Sequence, residues 1–315
     1  MIESSLRQGV LAADPRAIAR AISLVEDDGE AGATLVRDLF GHGGRALVVG
    51  VTGPPGAGKS TLVDQLTALV RARGQTVGIV AVDPSSPFSG GAVLGDRIRM
   101  QTHGVDPGVF IRSMATRGHL GGLSLATDAA VLVLDAAGMN VVFVETVGVG
   151  QDEVDIVRTA DVSVVTLVPG AGDAVQALKA GIMEIADVFA VNKMDREGAD
   201  RLAASVEAVL DLRPWAEGEW RPPVVGTQAT TGAGVAELLT RIEACHAPAG
   251  ARDAARRRAR AEFRLRERLS RRLLAHVESR VLASGEMDSL LDRIESRTLD
   301  PYTAAEQVLA RTLKE

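Results

Sequence analysis

Cysteine is nearly absent: Cys245 is the only one in 315 residues. A single thiol excludes an intramolecular disulfide and a cysteine-built metal centre. Aromatic residues make up 3% of the chain. The interior must therefore be filled by Val, Leu, Ile and Ala. Long apolar runs are missing too. Runs such as Ala129–Leu134 and Val141–Val144 fall far short of the roughly 20 residues that cross a bilayer, so no membrane role is expected. The first residues, Met1-Ile2-Glu3-Ser4-Ser5-Leu6-Arg7, hold no apolar signal core. His42, His103, His119, His246 and His276 are scattered without metal-ligand spacing and are expected to be structural or solvent-facing. A net charge of −6 argues against a general nucleic-acid partner. What remains is the expectation of a cytoplasmic protein with an aliphatic core.

Apolar residues supply 46% of the chain, enough for a sizeable core. Three zones differ in texture. Residues 1–44 read as a helical extension, with Ala17, Ile18, Ala21, Ile22 and Val25 at helical spacing. Gly41-His42-Gly43-Gly44 then breaks the pattern. Residues 45–247 alternate short apolar runs with helical stretches. Ala46–Val51, Thr76–Val82, Val109–Ser113, Val141–Glu145, Val162–Val168, Val188–Asn192 and Pro223–Thr227 read as strands. Such alternation implies an α/β fold, a mostly parallel sheet with helices on both faces. Right-handed crossovers put the strand C-terminal ends on one edge. Residues 248–315 read as a C-terminal helical arm. Its first stretch, Ala251–Val277, is dense in arginine and carries Phe263, Leu265, Leu269, Leu273 and Val277. A second helical segment follows Gly285, and a third begins near Pro301. The arginines are read as a solvated face opposite an apolar seam.

The strongest chemical signal is Gly53-Pro54-Pro55-Gly56-Ala57-Gly58-Lys59-Ser60. It matches the Walker A pattern between a strand ending at Thr52 and a helix continuing through Thr61. Glycines at 53, 56 and 58 let backbone N–H groups turn toward phosphates, and the helix N-terminus adds positive potential. Lys59 is expected to reach the terminal phosphates and Ser60 to ligate Mg²⁺. Asn192-Lys193-Met194-Asp195 stands at a later strand end. The Asp195 carboxylate can accept from guanine N1–H and the exocyclic amine. Adenine lacks both donors there, which selects GTP over ATP. A further base loop is expected at Thr227-Gln228-Ala229-Thr230, with the Ala229 N–H aimed at the guanine oxygen. Gln228 stands where such loops usually carry serine.

Three acids are placed for a metal. Asp83 and Glu145 end strands, and Asp96 lies in the glycine-rich stretch Ser89–Arg97. The Gly148 N–H is expected to sense the γ-phosphate. No water-positioning glutamine follows it directly; Gln151 is three residues on, so slow intrinsic turnover is expected. Trp215 and Trp220 read as packing residues.

Taken together, Gly53–Thr61, Val82-Asp83-Pro84-Ser85-Ser86-Pro87, Gly95-Asp96-Arg97-Ile98-Arg99-Met100 and Val144-Glu145-Thr146-Val147-Gly148-Val149-Gly150-Gln151 resemble the MeaB/ArgK family. These are G3E-type P-loop GTPases that include the methylmalonic aciduria type A protein. Ala17–Ser23 and Asp300-Pro301-Tyr302-Thr303-Ala304-Ala305 resemble it as well. The resemblance implies a GTPase chaperone. Its partner is a coenzyme B12-dependent acyl-CoA mutase, typically methylmalonyl-CoA mutase, with the adenosyltransferase as a second partner. GTP binding and hydrolysis to GDP gate adenosylcobalamin loading, and the adenosylcobalamin belongs to the mutase. The resemblance also implies that Asp83, Asp96 and Glu145 are the Mg²⁺ and catalytic acids, that Lys179 in Pro169–Lys179 serves partner-activated hydrolysis, and that C-terminal helices form a homodimer. Two rivals remain. A metallochaperone GTPase needs a cysteine/histidine cluster that the sequence lacks, and a small-molecule kinase predicts tolerance of ATP. A nucleotide-binding module without useful turnover is a third.

Overall fold

The computed structural model describes residues 2–27, 29–83, 103, 105–115, 122–146, 159–170, 182–246, 251–283 and 285–312. They divide into two compact units, Met1–Asp253 and Ala254–Glu315. Among the described residues no helix is long and apolar enough to cross a membrane.

The first unit is built on strands β1 (Leu47–Thr52), β2 (Val77–Asp83), β3 (Val109–Ala115), β4 (Val141–Thr146), β5 (Val162–Leu167), β6 (Val188–Val191) and β7 (Val224–Gly226). Their order is β3-β2-β4-β1-β5-β6-β7, and every pairing is parallel. The expected strands are all present, shifted by a residue or two at their ends. Three N-terminal helices come first: α1 (Ile2–Leu11), α2 (Pro15–Glu26) and α3 (Glu30–Phe40). α2 starts where Asp14 accepts the Arg16 N–H at 2.9 Å and Pro15 needs no partner. Further helices are α4 (Lys59–Ala72), α5 (Gly122–Ala136), the short α6 (Ile182–Ile185), α7 (Ala199–Asp211) and α8 (Val235–His246).

Period-two alternation decides which helix lies on which face. Val49, Val51, Val77, Ile79, Val141, Phe143, Val162 and Val164 pack with Leu62, Val63 and Leu66 of α4 and Leu238 and Ile242 of α8. Their sheet neighbours Val48, Val80, Val82, Val142 and Val144 pack with Ile18 and Ile22 of α2, Leu35 and Leu39 of α3 and Leu134 of α5. The N-terminal helices thus share a core with the sheet. On β5 and β6, Val165, Leu167, Phe189 and Val191 pack with Leu202 and Val206 of α7.

The edge of the sheet away from the motifs is fastened by aspartates. Ala160-Asp161-Val162 and Ala186-Asp187-Val188 repeat one device. Asp161 donates its N–H to Val48 O at 2.8 Å, and its carboxylate accepts the Val48 N–H at 3.0 Å. Asp187 does the same to Ser163, at 2.9 and 3.0 Å. Asp135, at the end of α5, accepts the N–H groups of Gly44, Arg45 and Ala46, the latter two at 3.1 and 2.9 Å. Each carboxylate satisfies backbone donors that β1 or β5 would leave unpaired.

The C-terminal helices are α9 (Ala251–His276), continued by a π-turn at Val277–Val281, then α10 (Glu286–Glu295) and α11 (Pro301–Thr312). Arg311 donates to both carboxylate oxygens of Glu286, at 3.2 and 2.7 Å. The Arg311 hydrogen bonds hold the Glu286 carboxyl below its ordinary value. Leu265, Leu269 and Leu273 stand at 60%, 52% and 58% exposure, so the seam read from the sequence faces outward from the described residues.

Candidate functional site

Parallel strands bring β1, β4, β5 and β6 to one edge at their C-terminal ends, and the motifs meet there. The phosphate loop leaves β1 at Thr52 and re-enters regular structure at Lys59. Gly53 has φ +137°, and a Cβ there would lie 2.1 Å from Thr166 O of β5. Only glycine lets the loop pass this close to the neighbouring strand. Gly56 and Gly58 also have positive φ, +72° and +85°. The buried Lys59 ammonium bends back over the loop, donating to Gly53 O at 2.8 Å and Pro54 O at 3.1 Å.

Ser60, in the first turn of α4, donates to Glu145 Oε1 at 2.6 Å. Glu145 sits in register with Val51, on the sheet face that α4 covers, and is only 4% exposed. Its neighbour Thr146 belongs to the opposite face and donates to Thr52 Oγ1 at 2.9 Å, tying β4 to β1 beneath the loop. Asp83 ends β2 one step beyond Val82, the partner of Thr146; its side chain lies outside the described residues, as do Asp96, Gly148 and Lys179. Ser60 and Glu145 are a pair of hard oxygen donors, one carried by a buried carboxylate. That donor set fits Mg²⁺ and not a soft metal. Among the described residues no group of three or more His, Cys, Asp or Glu could hold a metal.

The base motif is braced directly against the phosphate loop. Asn192, 2% exposed, donates from Nδ2 to Ala57 O at 2.8 Å. Its Oδ1 accepts from Thr227 Oγ1 at 3.2 Å and from the Ala229 N–H at 3.1 Å. Lys193, in a left-handed conformation with φ +60°, donates to Gly56 O at 2.7 Å. Met194 donates its N–H to Thr227 O at 3.1 Å. Asp195 closes this loop with its side chain exposed. The Gln228 N–H is engaged with Ala233 O at 2.9 Å. The expectation that the Ala229 N–H is aimed at guanine therefore meets a difference: Asn192 already holds that donor, so a contact with the base requires it to be shared or turned.

Spacing along the chain does not disclose the triple role of Asn192, the Thr52–Thr146 bond or the close approach of Gly53 to Thr166. Polar residues at the ends of Val-rich strands, Thr52, Thr146, Thr166 and Thr227, were the available signal. Trp215 packs against the β5–β6 core and donates to Leu210 O at 2.9 Å, and Trp220 donates to Asp187 O at 2.8 Å.

The model of a family described as methylmalonyl-CoA mutase-associated GTPase MeaB matches residues 18–281. A Pyrococcus abyssi protein assigned as a GTPase is 51% identical over 94% of this chain and 92% of its own length. GTPase ArgK of Escherichia coli is 38% identical over 74% of this chain and 71% of its own. The mitochondrial methylmalonic aciduria type A homolog of Mus musculus is 38% identical over 60% of this chain and 46% of its own. Among solved structures, one described as an LAO/AO transport system kinase superposes with a TM-score of 0.72 at 26% identity, covering 99% of this chain and 98% of that one. With an all-parallel sheet, a glycine loop held under a buried lysine and a base motif locked to that loop, the chain belongs to the MeaB/ArgK family of P-loop GTPases.

Proposed function

We propose that this GTPase is the nucleotide-operated switch of a B12-dependent acyl-CoA mutase, most simply methylmalonyl-CoA mutase, and that it gates adenosylcobalamin loading and protects the loaded enzyme. The observation that carries the reading is the match of the mutase-associated family model to residues 18–281, over a site whose base loop is hydrogen-bonded to its phosphate loop.

In this reading Gly53–Thr61 cradle the triphosphate. Lys59 exchanges the carbonyls of Gly53 and Pro54, its present acceptors, for phosphate oxygens, which are stronger charged acceptors. Loop N–H groups and the α4 N-terminus supply fixed positive potential where charge builds up. Ser60, Glu145, Asp83 and Asp96 would hold Mg²⁺, which neutralises charge on the β- and γ-phosphates when bound. Asp195 selects guanine, while Asn192 and Lys193 report base occupancy to the loop through Ala57 and Gly56. Gly148 and Lys179 are assigned to γ-phosphate sensing and partner-activated hydrolysis. The exposed row Leu265, Leu269 and Leu273 is assigned to a homodimer contact.

Capture tests the partner. Tagged full-length protein is loaded with GDP or with a non-hydrolysable GTP analogue and mixed with purified mutase. Nucleotide-dependent co-elution is expected. Equal absence of the mutase in both states contradicts the partner assignment, and phosphate transfer from ATP to an amino acid would favour the kinase rival.

A further inference from the structure

The sheet face that α4 covers ends in a row of polar side chains beneath the phosphate loop. Alternation along β5 places Val162 and Val164 against α4 and α8, and Val165 and Leu167 against α7, so Thr166 belongs to the α4 face. Thr52 is in register with Val165, which sets Thr166 level with Gly53. A Cβ on Gly53 would lie 2.1 Å from Thr166 O. On its other side Thr166 is in register with Ala190 of β6, two residues before Asn192. The row thus runs from Glu145 on β4, past Gly53, to Thr166 on β5 and Asn192 at the end of β6.

One member of the row differs from the others. Glu145 accepts from Ser60 at 2.6 Å, and Asn192 engages Ala57 O, Thr227 and the Ala229 N–H. The Thr166 side chain is fully buried, and its hydroxyl has no hydrogen-bond partner among the described residues. A buried hydroxyl left unpaired destabilises the arrangement that leaves it so. β5 carries Val at 162, 164 and 165, and Val at 166 would fill the same volume without that cost. The hydroxyl therefore points to a second arrangement of the loop, in which it is paired. In the loop beside it, Lys59 donates to Gly53 O and Pro54 O. These carbonyls lose their donor when the ammonium turns to phosphate.

We propose that Thr166 is a positioning residue for the nucleotide: its hydroxyl donates to the loop carbonyl, Gly53 O or Pro54 O, that Lys59 gives up. The step is an exchange of donors, with no covalent bond made or broken. Lys59 is released to serve the phosphates because a neutral O–H takes its place on the backbone. The hydroxyl thereby favours the occupied loop over the empty one, and only such a differential contact shifts a binding equilibrium. One hydrogen bond present in the bound state and absent from the free one is equivalent to roughly 2- to 10-fold in nucleotide affinity.

The proposal rests on the nucleotide site argued above, and its test separates the two. Thr166→Val removes the hydroxyl at nearly constant volume, and Thr166→Ser keeps it. Urea unfolding of the full chain without nucleotide, and titration with a fluorescent GDP analogue, are run on wild type and both variants. Thr166→Val should be at least as stable as wild type without nucleotide, yet bind the analogue roughly 2- to 10-fold more weakly. Thr166→Ser should bind as wild type does, whatever stability it loses with the methyl group. A merely structural role would move stability and affinity together. Wild type that binds no guanine nucleotide refutes the site itself. Wild type that binds overturns the role of Thr166 alone if Thr166→Val binds equally well, if it loses stability along with affinity, or if Thr166→Ser is as weak as Thr166→Val.

Discussion

Three glycines of the phosphate loop provide a graded test of how the loop is seated, because alanine at each meets a different obstacle. At Gly53 the new Cβ falls 2.1 Å from Thr166 O and 3.0 Å from its carbonyl carbon, both backbone, at φ +137°. No side chain can yield there, so β1 and β5 must separate locally. Backbone strain of roughly 1–3 kcal/mol and overpacking of roughly 1–3 kcal/mol together predict a loss of roughly 2–6 kcal/mol. That is a large part of the roughly 5–15 kcal/mol that holds a domain folded. At Gly58 the Cβ meets Asn192 Nδ2 at 2.6 Å, with φ +85°. A side chain can rotate away, but only by giving up its bond to Ala57 O, so stability falls less and nucleotide affinity falls with it. At Gly56 nothing lies within 4 Å and φ is +72°, leaving strain alone. Urea unfolding of the three variants, with GDP affinity measured in parallel, should order the losses in stability Gly53→Ala, then Gly58→Ala, then Gly56→Ala. Equal midpoints for Gly53→Ala and Gly56→Ala would refute the account of β5 as the wall behind the loop.

Asn192→Ala leaves the Ala229 N–H and Ala57 O without their partner; a cost of roughly 1–3 kcal/mol for each buried group left unpaired should appear in thermal melts, and guanine nucleotide affinity should fall while Lys59 stays in place. Asp187→Ala removes the acceptor of the buried Ser163 N–H and should cost roughly 1–3 kcal/mol with no change in the ratio of GTP to ATP turnover. The Asp106 carboxyl, held to about 2 by Arg71 against an ordinary 3.8, has its folded value depressed, so its contribution is complete above the ordinary value and is lost as pH falls toward about 2. Acid titration of Asp106→Asn should therefore show a shallower decline in stability than wild type between those two values, and an identical acid limb would contradict it.

The sheet was legible because burial on both faces demands near-continuous Val, Ile and Ala, and the runs read as strands became strands, whereas the equally apolar Ala129–Leu134 lies in helix α5. The start of α2 was not read from the sequence, although its cap at Asp14-Pro15 is local. The phosphate loop and the base motif were legible because their chemistry fixes spacing within a few residues. Contacts that join distant strands were not. The register that sets Glu145 beside Val51 and the bond from Asn192 to Ala57 depend on strand order, which no local pattern encodes. The repeated Ala-Asp-Val before β5 and β6 was visible as letters, yet its meaning needs the neighbouring strand whose N–H groups the carboxylates accept. His103 had no ligand spacing and read as structural; only the fold puts its Nε2 3.1 Å from Asp64 Oδ1.

The central claim is that this nucleotide site answers to a mutase. Its most direct test is the steady-state rate of GTP hydrolysis by the full chain with and without saturating methylmalonyl-CoA mutase, with Lys59→Ala as the control. The account predicts slow turnover alone, at least several-fold acceleration by the mutase, and no acceleration in Lys59→Ala. An unchanged rate in wild type, under conditions where the two proteins are shown to be bound, would contradict it.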